Sequence, residues 1–238
     1  MSRIYDTHNE IQRIYKKYKY PWLTLRLPVE NLYSWGTKTA KRLKIDEDKF
    51  CQRVVGINWA VSHVQLSLGY VLIAKQEVRF PRGIKGVSKD IKTIPDENLA
   101  YLYFWFHSYM TIECLYRSWE RITNLIRAAC YPNCKNKYYF DGMIDKIKED
   151  SSINQNRYLK DLKEQVKNWN KIAKLRNKLS HEDSSSINEI ELSCDNITVN
   201  YCYKDVRQEL EKLKSYYIKL IPAITAARNF IENVNNRD

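Results

Sequence analysis

The spacing of apolar residues along the chain predicts a mainly helical protein. One continuous seam, at alternating intervals of four and three residues, consists of Phe50, Val54, Ile57, Val61, Val64, Leu68 and Val71. A second seam, near the end of the chain, consists of Val206, Leu210, Leu213, Tyr217, Leu220, Ile224, Ala227, Ile231 and Val234. Pro222 falls inside the second seam and predicts a kink near its middle, because proline interrupts the helical hydrogen-bond ladder.

Weaker local signals complete the predicted secondary structure. Residues 7–10 have the form of a capping box and precede a short helix with Ile11, Ile14 and Tyr18 on one face. A small β-hairpin is predicted at residues 190–201, with its two-residue turn at Asp195-Asn196. The other predicted helices are a basic stretch at about Glu30–Lys44, an aromatic helix from Glu97 or Asn98 towards Cys130, a short helix at about Asp141–Asp150 and a long helix at Asn156–His181.

The aromatic stretch Leu99–Tyr116 is about long enough to span a bilayer. However, His107 and Glu113 lie inside it, and further charged residues follow it directly in the same helix. We therefore interpret it as a core helix that is covered on nearly all sides, and we expect no membrane association. Because no signal-peptide pattern opens the chain, we expect a cytoplasmic protein.

The composition favours a polyanionic partner. Lys and Arg outnumber Asp and Glu by 40 to 28, which gives a formal charge of +12 and an isoelectric point near 9.3. Because the basic residues are scattered among aromatic ones, nucleic acid is favoured over a membrane surface. The segment Arg79–Lys92 carries five positive charges, one negative charge and two glycines. It is either a solvated surface loop or a phosphate-contacting loop, and in the second case Arg82 and Lys85 are candidate RNA-binding residues.

The cysteines and three of the histidines indicate structural roles. The six cysteines show no CxxC pair and no disulfide-type spacing, which is typical of free thiols in a reducing compartment. No group of side chains has the spacing of a metal site, so we expect neither a metal nor another cofactor. His63 and His107 lie in apolar helices and are expected to be core residues, while His8 lies at a helix start.

The long helix at Asn156–His181 changes character in its last two turns. Its buried stripe is predicted to consist of Leu159, Leu162, Val166, Trp169 and Ala173. At about 100° per residue the stripe continues onto Arg176 and Ser180, with Asn177 and His181 along its edge. The apolar residues move instead to Ile172, Leu175 and Leu179. Cations are favoured at any helix C-terminus by the helix dipole. An Arg with Asn next to it, on the interior stripe of a helix and five residues before a His, nevertheless favours a functional role.

The segment Arg176–His181 resembles the R-x4-6-H motif of HEPN domains, a helical ribonuclease-like superfamily found in bacterial toxins, abortive-infection proteins and CRISPR effectors. In that family a polar residue, often Asn, follows the Arg, and Asn177 occupies this position. The resemblance covers roughly residues 97–235. It implies an all-α fold: an up-and-down helical bundle of HEPN type, with a small β-hairpin and an N-terminal helical extension. The chain would be a stand-alone bacterial member, with residues 1–95 as a helical region packed on a HEPN-like domain at residues 96–238.

The resemblance also implies a chemistry. The expected activity is that of a metal-independent endoribonuclease in defence, a toxin–antitoxin system or RNA turnover, in which the RNA 2′-OH attacks its own phosphate. By position, Arg176 would stabilise the scissile phosphate, His181 would transfer a proton and Asn177 would hold one of them in place. Lys178 and Ser180 are candidate RNA contacts beside the motif. The alternatives are a catalytically silent HEPN-type module that binds RNA, a nucleotide or a partner protein, and a purely structural helical adaptor.

Two features bear on partners. HEPN toxins that pair with a nucleotidyltransferase antitoxin often carry a Tyr two residues after the His, where this chain has Asp183. This weakens the case for such an antitoxin and leaves another regulatory protein open. Because Arg176 would be costly in a monomer core and has no acidic partner in its own stripe, we expect a homodimer whose axis passes near His181.

Overall fold

The chain folds mainly into α-helices. The computed structural model describes residues 9–14, 16–17, 32–78, 97–181, 188–192, 197–201 and 206–234. Residues 9–14 and 16–17 are helical, and the longer helices are α1 (Leu32–Leu43), α2 (Glu47–Glu77), α3 (Glu97–Cys130), α4 (Phe140–Glu149), α5 (Leu159–His181), α6 (Val206–Ile218) and α7 (Leu220–Glu232). The prediction of an all-α protein is therefore confirmed.

Two short strands lie between α5 and α6 in the chain. They are β1 (Asn188–Leu192) and β2 (Ile197–Tyr201), and they pair antiparallel with Ile190 opposite Val199. The predicted turn at Asp195-Asn196 lies outside the described residues, as do His8, Tyr18 and the basic segment at residues 79–92.

The seam of α2 is buried along its whole length. All seven apolar residues that define it, from Phe50 to Val71, are inaccessible or nearly so. The Asp46 carboxylate accepts a hydrogen bond from the Lys49 backbone N at 3.0 Å and so caps the start of the helix. Negative charge at this position also suits the helix dipole, and Glu47 and Asp48 add to it.

The two longest helices, α2 and α3, pack against each other and run in opposite directions. Ser67 Oγ, in the second half of α2, lies 3.8 Å from Cys114 Sγ, near the middle of α3. Gly56, earlier in α2, lies beside Arg121, later in α3. Later residues of α2 therefore lie against earlier residues of α3. This antiparallel alignment determines which side chains face each other across the pair.

One hydrophobic core extends through the described chain. It includes Ile14 from the N-terminal helical segment, Ala40 from α1 and the buried faces of α2 to α7. Arg42 of α1 donates from Nη2 to the Ile231 carbonyl at 2.6 Å, in the last turn of α7 where carbonyls lack helical partners. The predicted boundary near residue 95 thus does not separate two cores, because α1 and α2 share theirs with the helices that follow.

The aromatic helix begins and ends where the sequence predicted, but its coverage was predicted wrongly. Phe104, Trp105 and Ile112 are buried in α3. Tyr103 and Phe106 are each more than half exposed, and Met110 is 41% exposed. These three recur at intervals of three and four residues, so they form one stripe that faces solvent while the opposite side packs on the core. The residue types alone did not reveal which side of the helix is exposed, because aromatic residues lie on every face of it.

Among the described residues, α2 is the one helix that is long and apolar enough to cross a membrane. Half of the residues in its most apolar window are buried inside the protein, and a core helix passes the same test of length and hydropathy.

The C-terminal seam is buried as predicted, but it belongs to two helices. All nine seam residues from Val206 to Val234 are buried. Near the predicted kink at Pro222 the regular helix is interrupted at Lys219, between α6 and α7, where the backbone keeps helical dihedral angles. The reason is local: the Pro222 ring would collide with the carbonyl four residues earlier, that of Ile218, and cannot donate a hydrogen bond to it. The helix therefore ends at Ile218, and proline is tolerated in the first turn of the next one.

Two glycines inside α2 should respond in opposite ways to alanine. A Cβ added at Gly69 would lie 2.7 Å from Ile14 Cδ1, whereas at Gly56 it would lie 3.8 Å from the nearest atom, an ordinary contact. We expect Gly56→Ala to raise the free energy of unfolding by up to about 1 kcal/mol through helix propensity. Gly69→Ala should instead lower it by about 1–2 kcal/mol, because overpacking outweighs that gain. Urea denaturation measures both.

A double variant provides the control for this comparison. Ile14→Val removes the Cδ1 atom that the new methyl group would meet, so Gly69→Ala should be better tolerated in that background. If Gly69→Ala stabilises the protein as much as Gly56→Ala does, the N-terminal helical segment does not pack over Gly69.

Candidate functional site

The end of α5 presents Arg176 at the surface of the core. Leu159, Leu162 and Trp169 are buried, as the stripe predicted. In the last turns Leu175 and Leu179 pack against the core as half-buried side chains. The predicted move of the apolar face is therefore confirmed. Arg176 takes the position that this move vacates, and its side chain is 34% exposed.

Arg176 finds its partners on α3. Its Nε donates to Glu113 Oε2 at 3.4 Å, and its guanidinium lies 5.1 Å from the centre of the Tyr116 ring. The other oxygen of Glu113 accepts from Arg117 Nε at 3.1 Å, so one carboxylate lies between two guanidiniums. The sequence showed no acidic partner because Glu113 lies 63 positions earlier in the chain. The premise of a buried, uncompensated Arg176 is therefore wrong.

Arg176, Glu113 and Tyr116 line a large cleft, which we call the basic cleft. Its volume is about 1470 Å³, and α2, α3, the segment between α3 and α4, and Arg176 form its walls. Seven positive and two negative side chains line it, a formal excess of five positive charges. The positive residues are Arg53, Arg117, Arg121, Arg127, Lys135, Lys137 and Arg176, and the negative residues are Glu113 and Glu120.

Aromatic side chains are interleaved with these charges. Trp59, Tyr116, Tyr138 and Tyr139 line the cleft. Tyr139 is 61% exposed, and its ring stacks on Trp169 at 6.1 Å between centres. Burial raises the pKa of Tyr116 to about 12, and the nearby charge of Glu120 acts in the same direction. Tyr116 therefore keeps its hydroxyl proton at any physiological pH.

The other end of the cleft holds two arginines without carboxylates. Burial lowers the pKa of Arg53, and the positive charge of Arg127 lowers it further. Arg127 Nη1 donates to the Asn136 carbonyl at 2.9 Å, which ties the α3–α4 segment to α3. Its Nε is buried and makes no hydrogen bond with any residue that the structure describes.

The structure describes the side chains of three predicted site residues, Arg176, Asn177 and Lys178, and of these it brings Arg176 into the cleft. Asn177 and Lys178 are exposed and do not line it, because each step along α5 turns the side chain by about 100° away from α3. His181 is the last residue of α5, and the side chains of His181 and Ser180 lie outside the described part of the chain. Arg82 and Lys85 also lie outside it.

Most of the residues that line the cleft were not predicted as site residues from the sequence. His63 was expected in the core, but it is exposed, lines the cleft and meets Trp59 edge to face at 5.6 Å. By contrast, His107 is half-buried and stacks on Tyr70 at 5.0 Å. A signal did exist on α3, where polar residues recur at helical spacing through an otherwise apolar sequence: Glu113, Arg117, Glu120, Arg121, Asn124 and Arg127.

The basic cleft also contains thiol side chains, a residue type that ligates metal ions. Cys114 and Cys134 line the cleft as free thiols, and burial raises the pKa of Cys114. Within the described ranges, no group of three or more His, Cys, Asp or Glu side chains is placed to hold a metal ion.

Comparison with known proteins gives no match that would assign a function to the basic cleft. No protein-family model, curated protein or solved structure matches the chain. The side chains of the basic cleft and the motif at the end of α5 therefore carry the information about function.

The ion pair between Arg176 and Glu113 should contribute little to stability. Both side chains are about one third exposed, so a double-mutant cycle with Arg176→Ala and Glu113→Gln should give a coupling below about 1 kcal/mol. Arg228 and Glu232 form a pair of similar exposure on α7 and provide a matched reference. Thermal unfolding measures both cycles. An Arg176→Ala variant that fails to fold would show instead that this pair behaves as a buried one, whose disruption costs about 3–5 kcal/mol.

Proposed function

We propose that this protein binds single-stranded RNA in the basic cleft and cleaves it, without a metal ion, at a phosphate that Arg176 holds. The observation that supports this most directly is the composition of the cleft wall: seven cations, two carboxylates and four aromatic side chains around one opening. A strand with a charged backbone and flat bases matches both kinds of group.

The dimensions of the cleft suit several nucleotides. Glu113 and Arg127 are fourteen positions apart on α3, which corresponds to about 21 Å at a helical rise of about 1.5 Å per residue. Arginines attract the phosphates along this length, while Tyr139 and Trp59 offer ring faces to bases. Because stacking tolerates any base, we expect weak sequence preference.

The proposed reaction follows from the groups of the motif. The 2′-oxygen forms a bond to phosphorus, its proton passes to a base, and the bond to the 5′-oxygen breaks as that oxygen takes up a proton. The products are a 2′,3′-cyclic phosphate and a 5′-OH. Arg176 suits the phosphate oxygens because its guanidinium offers paired donors, and the Tyr116 ring beneath supports its orientation. From the HEPN resemblance, His181 is the proposed proton carrier.

Glu113 favours a second candidate function. In the free protein its carboxylate already pairs with Arg176 and Arg117, so an RNA phosphate must compete with it for the guanidinium of Arg176. A protein in which Glu113 keeps this place would bind RNA along the cleft without cleaving it. This is the catalytically silent HEPN-type module, and the cleavage experiment below separates the two.

The proposed partners other than RNA remain a homodimer and a regulatory protein. Desolvation of Arg176 does not favour a dimer, because Arg176 is partly exposed and paired with Glu113. What supports the dimer is the motif itself, since Asn177 points away from the cleft that Arg176 lines. Groups that diverge on one copy could converge across a twofold axis, and light scattering of the purified protein tests this.

Cleavage should depend on the motif and not on divalent metal. We expect Arg176→Ala and His181→Ala each to lower the cleavage rate of single-stranded RNA by at least about 100-fold, because each removes a group used in the transition state. Arg157→Ala is the control: this exposed Arg also lies over a Tyr ring, at 4.7 Å, but does not line the cleft. Activity should persist in EDTA and leave 2′,3′-cyclic ends. Loss in EDTA with recovery in Mg²⁺ contradicts the mechanism, and RNA binding without cleavage identifies the silent module.

RNA affinity should fall steeply with salt. Each neutralised phosphate of a single strand releases counterions and contributes about −0.7 to the slope of log affinity against log salt concentration. Arg121→Gln, which removes an exposed cation of the cleft, should reduce the slope by about that amount, whereas Arg157→Gln should leave it unchanged. Filter binding between about 50 and 200 mM salt measures the slope, and a flat response counts against a polyanion in the cleft.

A further inference from the structure

Positive charge is distributed unevenly along the basic cleft. Both carboxylates lie near Arg176: Glu113 bonds it directly, and Glu120 acts on the adjacent Tyr116. The antiparallel alignment of α2 and α3 places Arg53 at the opposite end, where its charge and that of Arg127 repel each other. We call this opposite end the distal site, and it is formed by Arg53, Arg121, Arg127, Lys135 and Lys137.

The arginines of the distal site are held without an acidic partner. Among the described residues, neither Arg53 nor Arg127 has a carboxylate oxygen within 4.0 Å, and the more distant Asp46 offsets the effect on Arg53 only in part. Arg127 is anchored to Asn136 through Nη1, and its buried Nε has no hydrogen-bond partner among the described residues. The same anchor keeps Lys135 and Lys137 of the loop beside it. Buried donors and like charges held together are unfavourable unless an anion binds there.

We propose that the distal site binds a terminal phosphate monoester, so that the protein recognises the phosphorylated end of an RNA strand. The nature of the ligand rests on the proposed function. An internal phosphodiester carries one negative charge, whereas a terminal phosphate carries about 1.5 to 2 at pH 7 and has three free oxygens. The described residues of this end supply five cations, whereas the two lining carboxylates, Glu113 and Glu120, interact with Arg176 and Tyr116. This excess of positive charge matches the dianion better than a single backbone phosphate.

Binding of the terminal phosphate at the distal site determines which phosphate of the strand lies at Arg176. Within the distal site, Arg127 lies about 21 Å along α3 from Glu113, fourteen positions away at a helical rise of about 1.5 Å per residue. A stacked strand rises about 3.4 Å per nucleotide, so the scissile phosphate should lie within about six nucleotides of the bound end. The distal site thus anchors the strand, and the end of the cleft with Arg176, Glu113 and Arg117 receives the phosphate to be cleaved.

The experiment compares forms of one ten-nucleotide 2′-O-methyl RNA, which has no 2′-OH and cannot be cleaved. The first form carries a 5′-phosphate, the second carries a 3′-phosphate, and the third has hydroxyl groups at both ends. Comparison of the two phosphorylated forms also shows which end of the strand is recognised. We expect one phosphorylated form to bind at least tenfold more tightly than the hydroxyl form by fluorescence anisotropy. Arg53→Gln should reduce this ratio to below about threefold, whereas Arg157→Gln, outside the cleft, should retain it. These changes in the affinity ratio correspond to the loss of one charge-assisted contact.

A second variant guards against loss of structure. Arg127→Ala could release the α3–α4 segment, so Arg127→Lys, which keeps the charge but not the two-pronged donor geometry, is used beside Arg53→Gln. It should lower the ratio as well. Equal binding of all three forms by the wild-type protein overturns the distal site while leaving RNA binding in the cleft intact.

Inorganic pyrophosphate separates this proposal from the proposed function. As a small polyanion it should raise the melting temperature of the wild-type protein and not that of Arg53→Gln. Stabilisation by pyrophosphate together with failure to bind any RNA form supports a phosphate site and overturns RNA as the ligand of the cleft. Absence of stabilisation, with no dependence on the terminal phosphate, overturns the distal site.

Discussion

The packing of α2 on α3 is the interaction on which the rest of the structure depends. The buried seam of α2 and the apolar side of α3 form the centre of the core, and the N-terminal segment, α1 and α4 to α7 add to it. The same pair supplies two walls of the basic cleft. Burial of the seam therefore stabilises the protein and also brings Arg53 close to Arg127 and Gly56 close to Arg121.

The cleft shows two ways of holding guanidiniums near one another. At one end Glu113 accepts from both Arg176 and Arg117, which compensates their charge. At the other end Arg53 and Arg127 have no such carboxylate among the described residues. In the proposed function, compensation suits the end where a phosphate is exchanged during the reaction, since Glu113 would replace the departing anion. Uncompensated charge suits the proposed distal site, which would hold its anion.

Helix positions could be read from the sequence because they depend on local periodicity. The seams of α2 and of the C-terminal helices, the bounds of α3 and the shift of the apolar face near Arg176 all follow from residues within a few turns of each other. Even the break before Pro222 is a local effect, because it arises from a clash with the carbonyl four residues earlier. The resemblance of the α5 end to HEPN domains also rests on a few neighbouring residues, and Arg176 of that stretch lines the basic cleft.

The sequence by itself thus determined the helices and the faces that they bury. Tertiary structure decided what those faces meet: Glu113, 63 positions before Arg176, compensates its charge, and His63, in an apolar stretch, lies exposed in the cleft. It also left Tyr103 and Phe106 exposed on a helix whose every side is aromatic. The physical reason is that periodicity defines the direction of a side chain relative to its own helix axis, whereas a charge or an exposed ring depends on which other helix lies in that direction.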